Sequence, residues 1–214
     1  MIKILIVDDH NLFRAGVRSI LDGQHDMVVV GEFSNGEEAV AAVRRDPPDL
    51  VLMDVNMPGI GGVEATRRIR KDAPQVKVIA VTVLSEDPFP NQLLDAGALG
   101  YISKGSGSEE MLDAIRAVMR GQHYISIDVA RKLTLASFRS GGESSPLASL
   151  SAREMQIMLM ITRGQANQAI SDALFLSPKT VSTYRHRLYE KLGVTNDVEL
   201  THLAMRHGLI DQVQ

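Results

Sequence analysis

The chain of 214 residues has no cysteine, no tryptophan, and only five Phe and four Tyr. Without cysteine, disulfides, zinc–cysteine sites and thiol catalysis are excluded. So few aromatic side chains argue against an aromatic-lined pocket for a large flat ligand. No apolar run is long enough to cross a bilayer, and the acidic start MIKILIVDD does not have the composition of a signal peptide. These absences predict a cytoplasmic protein without a membrane partner.

An overall excess of positive charge is also missing, since the net charge is −3. Residues 1–122 contain 13 Lys and Arg against 18 Asp and Glu, a net charge of −5, whereas residues 149–214 have a net charge of +1. Within this second part, residues 177–191 carry four basic side chains and one acidic side chain. The uneven distribution indicates two separate functions on one chain.

The first half alternates short apolar segments with amphipathic helical patterns. The predicted strands are IKILIV (2–7), VVVG (28–31), LVLM (50–53), KVIAVT (77–82) and GYIS (100–103). Apolar strands separated by amphipathic helices are typical of a parallel sheet covered on both faces. The pattern predicts an α/β doubly wound, parallel five-stranded domain of flavodoxin-like topology.

The alternation stops after Gly121, which predicts a first domain over residues 1–122. Residues 123–146 are predicted to be a linker, because their C-terminal part is rich in Gly, Ser and Pro. Residues 127–138 within this segment are a candidate extra helix. Residues 147–214 show only helical patterns and predict an all-α domain. Its four expected helices cover residues 153–164, 168–175, 178–192 and 197–208.

Acidic side chains follow two of the predicted strands. Asp8 and Asp9 come after the first strand, and Asp54 comes after the third. In a sheet of flavodoxin-like order these strands are neighbours at the switch point where ligands bind, so we expect the carboxylates to converge. Thr82 ends the fourth strand and Lys104 follows the fifth, both at the same edge. A single strand-end Asp is often only a helix cap, but five suitable side chains at one edge favour a site.

Converging carboxylates repel one another unless a cation neutralises them, and Mg²⁺ prefers carboxylate, carbonyl and water ligands. Mg²⁺ and Lys104 can hold phosphoryl oxygens while Asp54 attacks the phosphorus. The resulting acyl phosphate adds negative charge to which the Thr82 hydroxyl can donate. A shift of Thr82 would vacate space for Tyr101 on the neighbouring strand, which is a two-state element.

Four segments resemble the receiver domain of bacterial two-component response regulators, and the resemblance covers residues 1–122. These segments are D8-D9, LMDVNMPGIGG (52–62), VIAVT ending at Thr82, and GYISK ending at Lys104. The resemblance implies that a sensor histidine kinase phosphorylates Asp54 and that Thr82 and Tyr101 are switch residues. The Mg²⁺ ligands that it implies are Asp8, Asp9, Asp54 and the Asn56 carbonyl.

The long helix of the tail has an apolar stripe and a polar face. The stripe consists of Val181, Tyr184, Leu188 and Leu192, and the opposite face carries Lys179, Ser182, Thr183, His186 and Arg187. Small polar and basic side chains on an exposed helix suit the major groove of DNA. With the short helix before it, this helix predicts a helix-turn-helix module, although a solvated basic face is the simpler interpretation.

The segment from LSAREMQIMLM to YEKLGV resembles the LuxR/NarL-type DNA-binding domain, which places the chain with response regulators of the NarL/LuxR (FixJ) family. This resemblance implies sequence-specific binding to double-stranded promoter DNA as a homodimer, with RNA polymerase as a candidate partner. The residues that it implies for base contacts are Ser182, Thr183 and His186. The residues that it implies for phosphate contacts or for support of the helix are Lys179, Thr180, Tyr184, Arg185, Arg187 and Lys191.

The runs SLSAREMQIMLMITRGQ and DVELTHLAMRHGL are similar to the GacA/UvrY type, which implies an activator of small regulatory RNA genes.

Three other functions are alternatives to this interpretation. A phosphatase that uses Asp54 as nucleophile would need a general acid where Asn56 stands. A quorum-type ligand sensor would need an aromatic-lined domain, and a pure interaction module would not be phosphorylated. Leu84 cannot orient a hydrolytic water, which predicts a long-lived phosphorylated state unless Leu84 is merely a loop residue.

Overall fold

The computed structural model describes residues 1–83, 89–131, 146–207 and 209–210. These residues form two compact units. Of the described residues, the first unit contains 1–83 and 89–131, and the second contains 146–207 and 209–210. In the described part of the chain, no helix is both long and apolar enough to span a membrane.

The first unit is built on a parallel sheet with the strand order β2-β1-β3-β4-β5-β6. Its strands are β1 (Ile2–Val7), β2 (Met27–Phe33), β3 (Leu50–Asp54), β4 (Lys77–Thr82), β5 (Gly100–Ser103) and β6 (Tyr124–Ile125). The helices between them are α1 (Asn11–Asp22), α2 (Gly36–Arg45), α3 (Gly61–Asp72), α4 (Phe89–Asp95) and α5 (Ser108–Met119). The predicted doubly wound parallel fold is therefore confirmed.

Alternate side chains of the central strands fill two separate cores. On β1, Ile4 and Ile6 pack with α1 and α5 on one face, whereas Leu5 and Val7 pack with α2 and α3 on the other. Successive residues of a strand point to opposite faces, so a strand buried on both sides must be apolar throughout. This requirement explains why the central strands read as unbroken apolar runs, and it leaves their C-terminal ends as the place for polar groups.

The predicted number of five strands is wrong, because β6 adds a sixth strand beside β5. Tyr124 and Ile125 pair with Gly100 and Tyr101, and they lie in the segment that the sequence assigned to a linker. Two residues are too short to produce an alternation pattern, so the strand exists only through its partner. A helical segment, α6, follows over residues 127–131. The remainder of the predicted extra helix, residues 132–138, lies outside the described residues.

The second unit consists of helices with well-defined ends. A short 3₁₀ helix (Pro146–Ser149) precedes α7 (Ala152–Thr162), α8 (Asn167–Leu174), α9 (Pro178–Leu192) and α10 (Asp197–Arg206). Ser151 and Glu154 form a reciprocal capping box at the start of α7. Ser177 caps α9 by accepting from the Thr180 amide, and left-handed Gly193 ends that helix. These caps fix where α9 begins and ends.

Candidate functional site

The acidic side chains after β1 and β3 lie next to each other. Val7 is paired with Met53 across the two strands, so Asp8 and Asp54 emerge side by side at the same edge. Both carboxylates are buried, with 1% and 2% of their surface exposed. The Lys104 ammonium lies between them, with Nζ 2.7 Å from Asp8 Oδ2 and 3.0 Å from Asp54 Oδ2. Three residues distant in sequence therefore form one buried charge cluster.

Two buried carboxyl groups share one ammonium group in this cluster. Burial raises the pKa of Asp54, the charge of Asp8 raises it further, and Lys104 and the Asn56 amide only partly oppose the rise. Burial alone would lower the pKa of Lys104, but the two carboxylates outweigh burial and raise it. Lys104 is therefore charged at neutral pH, and a full negative charge on both carboxylates calls for a further cation.

The residues at this edge fit a hard divalent cation such as Mg²⁺. Asp8, Asp9, His10 and Asp54 each offer one ligand atom, and these atoms all lie within 4.8 Å of one another. Asp8 Oδ2 and Asp9 Oδ1 are buried without a hydrogen-bond partner of normal geometry, although the Lys104 ammonium lies near the first and the His10 ring near the second. The three carboxylates of this set offer the oxygen ligands that Mg²⁺ prefers. Asn56 follows on the loop after β3, and its backbone N–H donates to Asp54 Oδ1 at 3.3 Å.

Thr82 and Tyr101, the predicted switch residues, are in contact. Thr82 is fully buried at the end of β4, and Tyr101 is 1% exposed on β5. The two side chains are hydrogen-bonded to each other, and burial followed by the charge of Asp54 raises the pKa of Tyr101. Tyr101 is therefore buried against Thr82, and the movement of Tyr101 after a shift of Thr82 stays a prediction. Leu84 lies outside the described residues.

Sequence reasoning missed three neighbours of the cluster at the start of α1. His10 Nδ1 lies 2.8 Å from Asp9 Oδ1. The ring centroid of Phe13 is 5.0 Å from Lys104 Nζ, within cation–π distance, and the Arg14 guanidinium donates to the Asp8 carbonyl. Their positions soon after Asp8 and Asp9 were the available signal. Which face of α1 turns toward the pocket depends on packing, which the sequence does not show.

The structure separates the two predicted faces of α9. Val181, Leu188 and Leu192 are buried, and Tyr184 is partly buried. The exposed side chains on this helix include Lys179, Ser182, Thr183, His186 and Arg187. A capped helix therefore presents a polar, basic face to solvent.

Three side chains grouped with the DNA contacts instead make contacts inside the domain. Arg185 donates to Asp197 and to Asn167 Oδ1, the latter at 2.8 Å. Lys191 Nζ lies 2.8 Å from Glu154 Oε2, and the Thr180 hydroxyl is 2.8 Å from Ser177 Oγ. Of the two roles that the sequence left open for these residues, support of the helix is the one that these contacts favour.

Comparison with known proteins assigns both units. The response regulator receiver domain matches residues 4–116, and the luxR family of bacterial regulatory proteins matches residues 148–204. The chain is 54% identical to response regulator GacA of Pseudomonas aeruginosa and 53% identical to response regulator UvrY of Escherichia coli K12. These alignments cover 99% and 98% of the chain and 99% and 96% of the relatives. The crystal structure of response regulator ChrA of a heme-sensing two-component system is 32% identical over 98% of each chain, with a TM-score of 0.55.

Proposed function

Because the chain belongs to the two-component response regulators that carry a LuxR-type DNA-binding domain, we propose that phosphorylation of Asp54 controls its binding to promoter DNA. The observation that carries this proposal is the buried cluster in which Asp54 lies beside Asp8 and 3.0 Å from the Lys104 ammonium. We assign the receiver to the first compact unit and the DNA-binding domain to residues 147–214. The chromosome is the target, so the protein acts in the cytoplasm.

In the proposed reaction, Asp54 accepts a phosphoryl group from the phosphohistidine of a sensor kinase. The carboxylate attacks the phosphorus, a P–O bond forms, and the P–N bond to the kinase histidine breaks. Lys104 holds Asp54 in place and offers its positive charge to the incoming phosphoryl oxygens. Asp8, Asp9, Asp54 and the Asn56 carbonyl would hold Mg²⁺. When bound, Mg²⁺ supplies neutralisation of the phosphoryl charge.

The acyl phosphate on Asp54 acts on the neighbouring hydroxyls. It adds about one to two negative charges and new acceptor oxygens. The Thr82 hydroxyl, which lies at the end of β4 against Tyr101, can then donate to the phosphoryl group. This change at Thr82 alters its contact with Tyr101, and through β5 it reaches the surface of the receiver.

The second domain reads DNA through the polar face of α9. We propose that Ser182, Thr183 and His186 contact bases, and that Lys179, Arg187 and Tyr184 contact phosphates. The net charge of +1 over residues 149–214 gives one copy little non-specific affinity, since phosphate neutralisation supplies most of it. A homodimer that pairs through α10, where Val198 is 63% exposed, would double the footprint. Small regulatory RNA genes are the proposed targets, and RNA polymerase is the proposed further partner.

The test of this function uses the full chain with acetyl phosphate and Mg²⁺. We expect about one phosphoryl group per chain and a higher affinity for duplexes that the phosphorylated protein selects from a random pool. Labelling without any change in DNA affinity would contradict the coupling. Steady turnover of a phosphomonoester would instead support a phosphatase, which Asn56 disfavours because its amide cannot act as a general acid.

Mg²⁺ is expected to stabilise the receiver, and Asp8→Asn is expected to remove that effect. At a Mg²⁺ concentration ten times the Kd, binding adds about 1.4 kcal/mol to the free energy of unfolding. Urea titrations with EDTA or with Mg²⁺ measure the difference. Asp22→Asn at the exposed end of α1 is the matched control and should keep the full response. Equal stabilisation of wild type and Asp8→Asn would show that the cation binds elsewhere.

An exposed leucine beside the pocket is expected to contribute to kinase recognition. Leu12 is 88% exposed in the first turn of α1, three residues after Asp9. Leu12→Asp would bury a charge in the kinase interface and should slow phosphotransfer from the kinase about tenfold. Labelling by acetyl phosphate should remain unchanged. Ile127→Asp, which alters another exposed apolar side chain of the same unit, is the control. Equal slowing with both phosphodonors would assign the effect to the pocket instead.

A further inference from the structure

A continuous series of polar contacts joins three helices of the DNA-binding domain. It begins at Asp197, the first residue of α10, and continues through Arg185 on α9 to Asn167, the first residue of α8. From Asn167 it returns to α9 at Ser182. The helix that bears the proposed base contacts is therefore held on two sides by side chains of its neighbours.

Asn167 uses both ends of its amide in this series. Its carbonyl oxygen accepts from Arg185 Nη2 at 2.8 Å, and its Nδ2 donates to Ser182 Oγ at 3.0 Å. The Ser182 hydroxyl in turn donates to the Pro178 carbonyl at 3.1 Å. With its own proton committed and one lone pair occupied, the Ser182 oxygen has one lone pair left, which can accept a hydrogen bond from a base.

Asp197 holds the other end of the series. One carboxylate oxygen accepts from the Arg185 guanidinium, and the second accepts from the Tyr189 hydroxyl. Burial and then this carboxylate raise the pKa of Tyr189, which keeps its hydroxyl protonated as the donor. Arg185 is 21% exposed at its side chain, and its two terminal nitrogens donate to Asp197 and Asn167 within the domain. A planar guanidinium suits this bridge because it donates in two fixed directions.

We propose that Asn167 and Arg185 are positioning residues that set DNA sequence preference by fixing the Ser182 hydroxyl and the orientation of α9. This inference rests on the proposed function. Asn167 acts through Ser182, Arg185 acts by holding Asn167 and α9 in place, and neither contacts bases or phosphates itself. The type of base read at this position is one that presents a hydrogen-bond donor to Ser182 Oγ. In the major groove that donor is the amino group of adenine or cytosine.

The experiment compares two affinities of the phosphorylated full-length chain. One duplex is the sequence that the wild type enriches from a random pool, and the other is its scrambled version. For Asn167→Asp, which keeps an acceptor for Arg185 but loses the donation to Ser182, the ratio of the two affinities should fall about fivefold. Asn167→Ala and Arg185→Met should lower the ratio at least as much. The ratio for Arg185→Lys should stay below that of the wild type, because an ammonium group cannot replace the planar guanidinium.

Two further measurements separate positioning from direct contact. A positioning residue leaves the slope of log affinity against log salt unchanged, whereas loss of a phosphate contact lowers that slope by about one. Arg187→Met, at an exposed basic residue of the same helix, is the control that should lower the slope. In addition, Asn167→Asp combined with Ser182→Ala should lose no more selectivity than Ser182→Ala alone.

The outcomes are distinct. An unchanged ratio in Asn167→Asp, or a lowered salt slope in Arg185→Met, would overturn the proposal. If Asn167→Ala unfolds in thermal denaturation, Asn167→Asp decides the question, because its charge favours the start of α8. A wild type that enriches no sequence from the pool would instead contradict the proposed function.

Discussion

Replacing Asp54 by alanine is expected to abolish phosphoryl incorporation and the increase in DNA affinity that acetyl phosphate produces. Incorporation should fall more than about 100-fold, because the reaction loses its nucleophile. Asp8 is committed to Lys104 at 2.7 Å and does not replace Asp54. Labelling with radioactive acetyl phosphate, followed by DNA titration of the same samples, measures both effects.

The Asp54→Ala receiver should remain folded. A carboxyl group whose pKa is raised in the folded state contributes stability that is present below its unfolded pKa and is lost as the pH rises through its folded pKa. Asp54 is such a group because of its burial and the nearby Asp8, so its removal does not lower stability at neutral pH without metal. Asp22→Ala on the surface is the control for labelling. Equal stimulation of DNA binding in wild type and Asp54→Ala would defeat the assignment of the phosphoacceptor.

Replacing Lys104 by methionine is expected to have the largest effect on stability. The substitution leaves two buried carboxylates without their shared cation, and breaking a buried pair in this way costs about 3 kcal/mol. The free energy of unfolding should therefore fall by about this amount at pH 8 in EDTA. Phosphorylation should also slow strongly, since the phosphoryl oxygens lose a positive partner. Lys71→Met, at an exposed position near the end of α3, should change neither quantity.

The loss in Lys104→Met should shrink at lower pH. Without the ammonium, the pKa of Asp54 rises further than in the wild type, so the folded variant binds more protons than its unfolded chain. Its stability consequently falls as the pH increases, more steeply than that of the wild type. Urea unfolding at pH 6 and pH 8 measures both slopes, and addition of Mg²⁺ should recover part of the loss. A stability difference independent of both pH and Mg²⁺ would indicate a packing defect.

The pocket could be predicted from the sequence because topology alone brings its members together. Parallel strands end at one edge of the sheet, so the ends of β1 and β3 place Asp8 beside Asp54 whatever the loops do. β6 could not be predicted in this way, since Tyr124 and Ile125 form a strand only by pairing with β5. The local pattern of apolar residues was therefore enough to predict the long strands, but it could not predict a strand of two residues.

The roles of charged residues on α9 were harder to predict. Arg185 and Lys191 look like DNA contacts in sequence, because a basic residue on a helix carries no information about its partner. The structure supplies those partners in Asp197, twelve residues later, and Glu154, in another helix. Such pairs depend on how helices cross, which the helical period does not determine. The apolar stripe was easier to predict, because burial alone selects it.

The short sixth strand joins the backbone of β5 at Tyr101 to the start of α6. The Ser126 amide donates to the Tyr101 carbonyl at 3.0 Å, and the Ser126 carbonyl accepts from the Ala130 amide at 2.9 Å in the first turn of α6. A backbone displacement at Tyr101, as the proposed switch requires, would therefore reach the first turn of α6 through two hydrogen bonds and one residue.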